Sequence, residues 1–244
     1  MFGLPDSLRG CLFDLDGVLT KTAVIHQAAW KAMFDEYLAS CPADGSPPAP
    51  FTPFDYAAHV DGRPRNDGVR AFLASRGIVT AEGNEGDPPG AGTVEGLGAR
   101  KHDLMLGLLR DQGVEAYEGS VRFVRAVRAA GLRTAVVSSS TNCADVLDAA
   151  GISDLFEEGV DGHVAERLGL AGKPSPDTFL HGARMLGLGP AQCAVFEDAL
   201  AGVAAGRAGQ FLLVIGVDRL GQADALRSNG ADLVVADLAE LLER

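Results

Sequence analysis

From about Val121 onward, short apolar runs and helical segments take turns along the chain, and this alternation narrows the possible folds more than any other feature. Residues 121–130 carry a helical pattern ended by Gly131, and residues 132–138 form an apolar run. Residues 142–150 are helical again and end at Gly151. Further apolar runs fall at 193–196, 211–217 and 233–235, with helical segments at 176–186 and 200–208 between them. Strands that are apolar throughout are buried on both faces, and buried strands alternating with helices form a parallel sheet with helices on both sides. The expected class is α/β, with a Rossmann-like parallel sheet at its centre. Its first strand is the run Gly10-Cys11-Leu12-Phe13-Asp14 near the start of the chain.

Residues 22–103 break the alternation. A helical pattern runs over 22–39, where Trp30, Phe34 and Leu38 recur four residues apart with Met33 and Tyr37 beside them. Residues 67–76 and about 101–110 are also helical in pattern. The proline-rich stretch 46–50 cannot be helix interior, and the glycine-rich stretch 83–98, with Pro88 and Pro89, predicts a long surface loop. The expectation is a helical domain, 22–103, inserted into a core made of 1–21 and 104–244.

A chain of 244 residues, 47% of them hydrophobic, can bury a core of that size plus a smaller second one. Its formal charge of −12 repels nucleic-acid backbones and anionic lipid. The apolar stretch 11–19 is broken by Asp14 and Asp16, so it cannot span a bilayer. Cys11, Cys41, Cys143 and Cys193 form no CxxC pair and are expected as free thiols, which suits a reducing compartment. A cytoplasmic monomer with neither nucleic-acid nor membrane partners is expected.

Four segments carry chemistry. The first is Phe13-Asp14-Leu15-Asp16-Gly17-Val18-Leu19-Thr20, two aspartates at i and i+2 directly after a buried strand. Ligands of open parallel sheets bind at the carboxyl ends of strands, where these carboxylates fall. Taken alone, DxDG also fits a solvated loop or a calcium loop, although Val18 lacks the side-chain oxygen a calcium loop needs there. The second is Ser138-Ser139-Ser140-Thr141-Asn142, whose hydroxyls and amides suit a phosphate oxygen or a helix cap equally. The third is Gly172-Lys173-Pro174, a lysine beside a proline. The fourth is Glu197-Asp198, two acids ending another apolar run. Together they place Asp14, Asp16, Glu197 and Asp198 as oxygen ligands for a hard cation such as Mg²⁺, with Lys173 as the nearby positive charge.

In that order the four segments resemble the motifs of the haloacid dehalogenase superfamily of phosphotransferases, over nearly the whole chain. The inserted helical segment resembles the cap of its β-phosphoglucomutase-like branch. The resemblance implies that Asp14 is a covalent nucleophile, Asp16 an acid–base group, and Ser138 and Lys173 stabilisers of the transferring phosphoryl group. It implies substrate contacts from Thr22, His26, Arg65, Lys101, Ser140 and Asn142, and a small phosphorylated sugar as substrate. Trp30 matches a cap tryptophan of the branch, but a core role is preferred for it. The implied reaction is conversion of β-glucose 1-phosphate to glucose 6-phosphate, with a sugar-phosphate phosphatase as the alternative. Two departures stand out. Lys21 sits where relatives commonly carry aspartate, and the segment 83–98 is long.

Overall fold

The computed structural model describes residues 3–41 and 48–243; Ser46 and Pro47 of the proline-rich stretch lie outside the described residues. The chain divides into two compact units, 1–21 with 114–244, and 22–113.

The first unit is an α/β sandwich. Its strands are β1 (Gly10–Phe13), β2 (Arg133–Val137), β3 (Glu158–Val160), β4 (Cys193–Glu197), β5 (Leu213–Val217) and β6 (Leu233–Val235). They form one sheet in the order β3-β2-β1-β4-β5-β6, and every pairing is parallel. The short edge strand β3 has no clear mark in the sequence, because only Val160 of its three residues is buried. Side chains alternate across the sheet. Leu12, Val137 and Val195 point to one face, where they pack with Phe179, Ala183 and Val203. Those partners lie on helices α8 (Asp177–Met185) and α9 (Leu200–Ala208). Phe13 and Phe196 point to the other face and stack at 4.5 Å between ring centroids. Phe123 of helix α5 (Glu118–Ala129) covers both rings. Helices α6 (Cys143–Ala149), α7 (Gly162–Leu168) and α10 (Ala223–Ser228) complete the unit. All four cysteines are free.

The second unit is helical, as its apolar spacing predicts. It contains α1 (Ala23–Ser40), a single turn α2 (Pro53–Asp55) continued by a π-helical turn, α3 (Arg65–Ser75) and α4 (Val94–Gln112). Trp30, Phe34, Phe51 and Phe72 form its aromatic centre, with Trp30 stacked on Phe34 at 5.3 Å. Trp30 is thus a core residue of this unit.

Helix α4 differs from the sequence expectation at both ends. Thr93 caps it by accepting a hydrogen bond from the Gly96 amide at 3.1 Å, so the helix begins inside the glycine-rich stretch 83–98. It then runs unbroken to Gln112, which carries the second unit past residue 103 to Gly113. Gly96 and Gly98 are tolerated within it because they are packed; a Cβ at Gly98 would run into Asn66.

The two chain segments that border the helical unit are paired within the first unit. Lys21 donates its amide to the Glu115 carbonyl at 2.8 Å, and Tyr117 donates its own to Leu19 at 2.9 Å. The Lys21 ammonium meets the Glu115 carboxylate at 2.7 Å, which gives the unusual lysine a partner on the neighbouring segment.

Candidate active site

The strand order places the site. β1 is central, and its neighbours β2 and β4 lie on opposite sides of it, so the chain reverses its direction of winding at β1. The carboxyl ends of strands at such a switch point open into a crevice. Asp14 follows β1, Ser138 follows β2, and Glu197 ends β4 with Asp198 next to it. Asp14 is held in line by its own amide, which donates to the Phe196 carbonyl at 2.9 Å.

Lys173 is the electrostatic centre of this cluster. Its side chain is 1% exposed, and its ammonium donates to Asp14 Oδ1 at 2.5 Å, Glu197 Oε1 at 2.7 Å and the Val137 carbonyl at 3.0 Å. Those three bonds use every proton the ammonium has. The ring of Phe179 lies 4.8 Å from the same nitrogen. Burial alone would lower the lysine's pKa, but the Asp14 and Glu197 carboxylates outweigh it and hold the group protonated. For Asp14 burial dominates in the other direction and raises the pKa well above the usual carboxylate range, against the pull of Lys173.

Glu197 is fully buried and has both oxygens committed. Oε1 takes the lysine, and Oε2 accepts from the Ala199 amide at 2.8 Å. Gly202 on α9 leaves the room, since a Cβ there would collide with the Glu197 carboxylate. Asp198 lies on the other side, against the turn after β1. Gly17 in that turn has φ +94°, and a Cβ on it would run into the Asp198 carboxylate. Only glycine meets both demands. The turn is closed by Gly17 N donating to the Thr20 carbonyl at 2.8 Å, and it leaves Asp16 half-buried at the rim.

After β2, Ser138 is buried and its Oγ accepts from the Ser140 amide at 3.1 Å. The Ser140 hydroxyl accepts in turn from the Asn142 amide at 3.2 Å. The segment is therefore a folded loop in which the Ser138 hydroxyl keeps its proton to donate. The structure thus gathers Asp14, Asp16, Ser138, Lys173, Glu197 and Asp198 at one end of the sheet, with Ser140 and Asn142 in the adjoining loop.

Thr22, His26, Arg65 and Lys101 belong to the helical unit. Thr22 is buried just ahead of α1. Lys101 on α4 is buried, with its ammonium 2.9 Å from His26 Nδ1 and 5.1 Å from the Trp30 ring. Arg65 opens α3 and packs against α4 at Gly98, one turn before Lys101. His26, Arg65 and Lys101 are thereby arranged along α4.

The donor set fits a hard divalent cation. Carboxylate oxygens of Asp14, Glu197 and Asp198, all buried, lie within 4.8 Å of one another. One ammonium among three buried carboxylates leaves a negative excess, which a cation bound by oxygen would offset.

Sequence reasoning missed the residues that hold this cluster from behind. Arg219 donates Nε to the Gly17 carbonyl at 2.9 Å, and Gln222 donates its side-chain Nε2 to the Asp198 carbonyl at 3.1 Å. Both follow β5 in a segment with no motif, and only the pairing of β5 with β4 brings that loop here.

Residues 8–210 match the model of the haloacid dehalogenase-like hydrolases, and the chain belongs to that family and is an enzyme of it. Among its relatives, the β-phosphoglucomutase of Mycobacterium tuberculosis is 54% identical over 247 residues, spanning 99% of this chain and 94% of the relative. That of Bacillus subtilis is 30% identical over 235 residues, spanning 96% and 92%. The crystal structure of a Clostridium difficile β-phosphoglucomutase shows the same fold, with a TM-score of 0.75 at 23% identity over 96% of this chain and 93% of that one. Among the described residues no helix is long and apolar enough to cross a membrane.

Proposed function

We propose that the chain is a Mg²⁺-dependent phosphomutase that converts β-glucose 1-phosphate to glucose 6-phosphate through an aspartyl-phosphate at Asp14. The observation that carries the phosphoryl-transfer chemistry is the Lys173 ammonium joined to Asp14 and Glu197 at the carboxyl ends of β1 and β4. The choice of sugar rests on the mycobacterial relative and its identity over nearly the whole chain.

A carboxylate approaching phosphorus meets the charge of the phosphate itself, so the attack needs positive charge around it. Asp14, Asp198 and the Asp16 backbone carbonyl are the groups that would hold Mg²⁺. When bound, the ion neutralises part of the charge on the transferring oxygens. Glu197, occupied by Lys173 and Ala199, is given the task of orienting the lysine. Lys173 and the Ser138 hydroxyl stabilise the phosphoryl oxygens as charge builds on them.

Asp14 forms the bond to phosphorus while the bond to the leaving sugar oxygen breaks, and Asp16 gives that oxygen a proton. In the second half Asp16 takes a proton from the incoming hydroxyl, which attacks phosphorus and frees Asp14. Arg65 is assigned to the phosphate that does not react, where its planar fork can bind two oxygens. Lys101, His26, Thr22, Ser140 and Asn142 are assigned to the remaining sugar and phosphate contacts.

Water in place of the sugar hydroxyl gives a phosphatase, in keeping with the family's description as hydrolases. Incubation of β-glucose 1-phosphate with the enzyme, Mg²⁺ and a trace of the 1,6-bisphosphate separates the two. Glucose 6-phosphate as the main product supports the mutase. Stoichiometric inorganic phosphate and glucose would replace it with the phosphatase.

A further inference from the structure

The loop after β5 touches both halves of the acidic cluster through backbone atoms. Arg219 Nε donates to the Gly17 carbonyl at 2.9 Å, and Gly17 lies in the turn that separates Asp14 and Asp16 from Thr20. Three residues on, Gln222 Nε2 donates to the Asp198 carbonyl at 3.1 Å. Gly17 and the Asp198 carboxylate already pack so closely that a methyl group cannot pass between them. The two bonds therefore pull on two loops that bear on each other.

Arg219 is itself fixed from three sides. Its Nη1 donates to the Ala236 carbonyl at 2.7 Å and meets Asp237 Oδ2 at 3.2 Å, and its guanidinium lies 3.7 Å from the Tyr117 ring centroid. Tyr117 is bonded through its amide to the Leu19 carbonyl, so the ring that carries the guanidinium is anchored to the same turn. The Gln222 end is set by its backbone N–H, which donates to Asp218 Oδ1 at 2.8 Å. Only 14% of the Arg219 side chain is exposed. A planar fork with several donors on one rigid frame suits this bridging task, and an ammonium cannot reproduce it.

Building on the phosphoryl-transfer reading above, we infer that Arg219 is a positioning residue: with Gln222, it braces the loop of Asp14 and Asp16 against the loop of Asp198. The bonds of Arg219 and Gln222 to these loops go to backbone carbonyls. Their effect is on where the carboxylates stand, and small displacements of reacting groups are costly in rate.

The test compares wild type with Arg219→Gln, Arg219→Lys and Gln222→Met. Three quantities are read: the affinity for Mn²⁺ alone by electron paramagnetic resonance, kcat and KM for acetyl phosphate, and Tm. Loss of the bond at the Gly17 carbonyl predicts about tenfold weaker Mn²⁺ binding and about tenfold lower kcat in Arg219→Gln, with KM changed less than about twofold. Arg219→Lys should fail to restore either quantity. Gln222→Met should weaken Mn²⁺ binding in the same direction. A lower Tm with Mn²⁺ affinity and kcat unchanged would make Arg219 an anchor of the chain end near Ala236 and overturn the inference. If Arg219→Gln does not fold, unchanged Mn²⁺ affinity in Gln222→Met overturns it. Absence of turnover in wild type would count against the phosphoryl-transfer reading, and the Mn²⁺ comparison would still decide the brace.

Discussion

Removing the Lys173 ammonium would leave Asp14 and Glu197 buried beside each other without a counter-charge. Breaking a buried pair in this way costs about 3–5 kcal/mol, because the desolvated partner remains. Lys173→Met keeps most of the side-chain volume, so its unfolding free energy from urea titration should fall by that amount and its turnover should vanish. Wild-type stability in this variant would show that the carboxylates are neutral without the lysine. The lysine was legible in the sequence as the Gly172-Lys173-Pro174 segment, and Asp14, Asp16 and Asp198 by their places after strands. Glu197 was legible as an acid but not in its bonding, since a strand-terminal carboxylate looks the same whether it faces a cation or a lysine. Arg219 was not legible at all, because an arginine in a loop without a motif has no local mark of its bond to a residue 202 positions earlier.

Elements set the geometry that those residues use. The turn after β1 depends on Gly17, which combines a positive φ with the closest approach of Asp198. Gly17→Ala places a methyl group against that carboxylate in a strained conformation, at a cost of about 1–3 kcal/mol from the backbone alone. The expected result is a folded protein with turnover reduced by at least about tenfold, measured with acetyl phosphate at saturating Mg²⁺. In the helical unit, Asp55 is buried at the end of the single turn α2. It accepts from the Thr52 hydroxyl at 2.6 Å, from the Thr52 amide at 2.9 Å and from Arg76 at 2.8 Å. Burial works to raise its pKa, but these bonds together lower it below the ordinary 3.8. A carboxyl with a depressed folded pKa contributes stability that is present above its unfolded value and lost as pH falls through the folded one. Urea midpoints from about pH 5 to about pH 3 should therefore decline less steeply in Asp55→Asn than in wild type, and equal slopes would show that Asp55 does not drive the acid loss. The main helices and strands were legible because their apolar periods are strong. The start of α4 was not, since glycines at 96 and 98 signal a loop until the packing of Ala91 against Gly96 and of α3 against Gly98 is known.

At the scale of the whole molecule, the sheet order brings three motifs from distant parts of the sequence to one edge, and strand–helix alternation was enough to foresee it. The end of the insertion was less visible, because α4 continues smoothly to Gln112 with no break at residue 103. A phosphomutase needs a second phosphate contact beyond the sheet, and Arg65 in the helical unit is assigned that task. Losing a charge-assisted bond costs about 1.5–3 kcal/mol, so Arg65→Ala should lower kcat/KM on β-glucose 1-phosphate by at least roughly tenfold. Acetyl phosphate, which has no second phosphate, should be affected much less. Equal losses on both substrates would make Arg65 a support of the fold. The proposed covalent bond at Asp14 is open to direct measurement. Rapid acid quench after mixing with bisphosphate, followed by mass analysis of the peptide containing Asp14, should show one added phosphoryl group on that residue and none in Asp14→Asn. A phosphoryl group found on another residue, or turnover retained in Asp14→Asn, would contradict it.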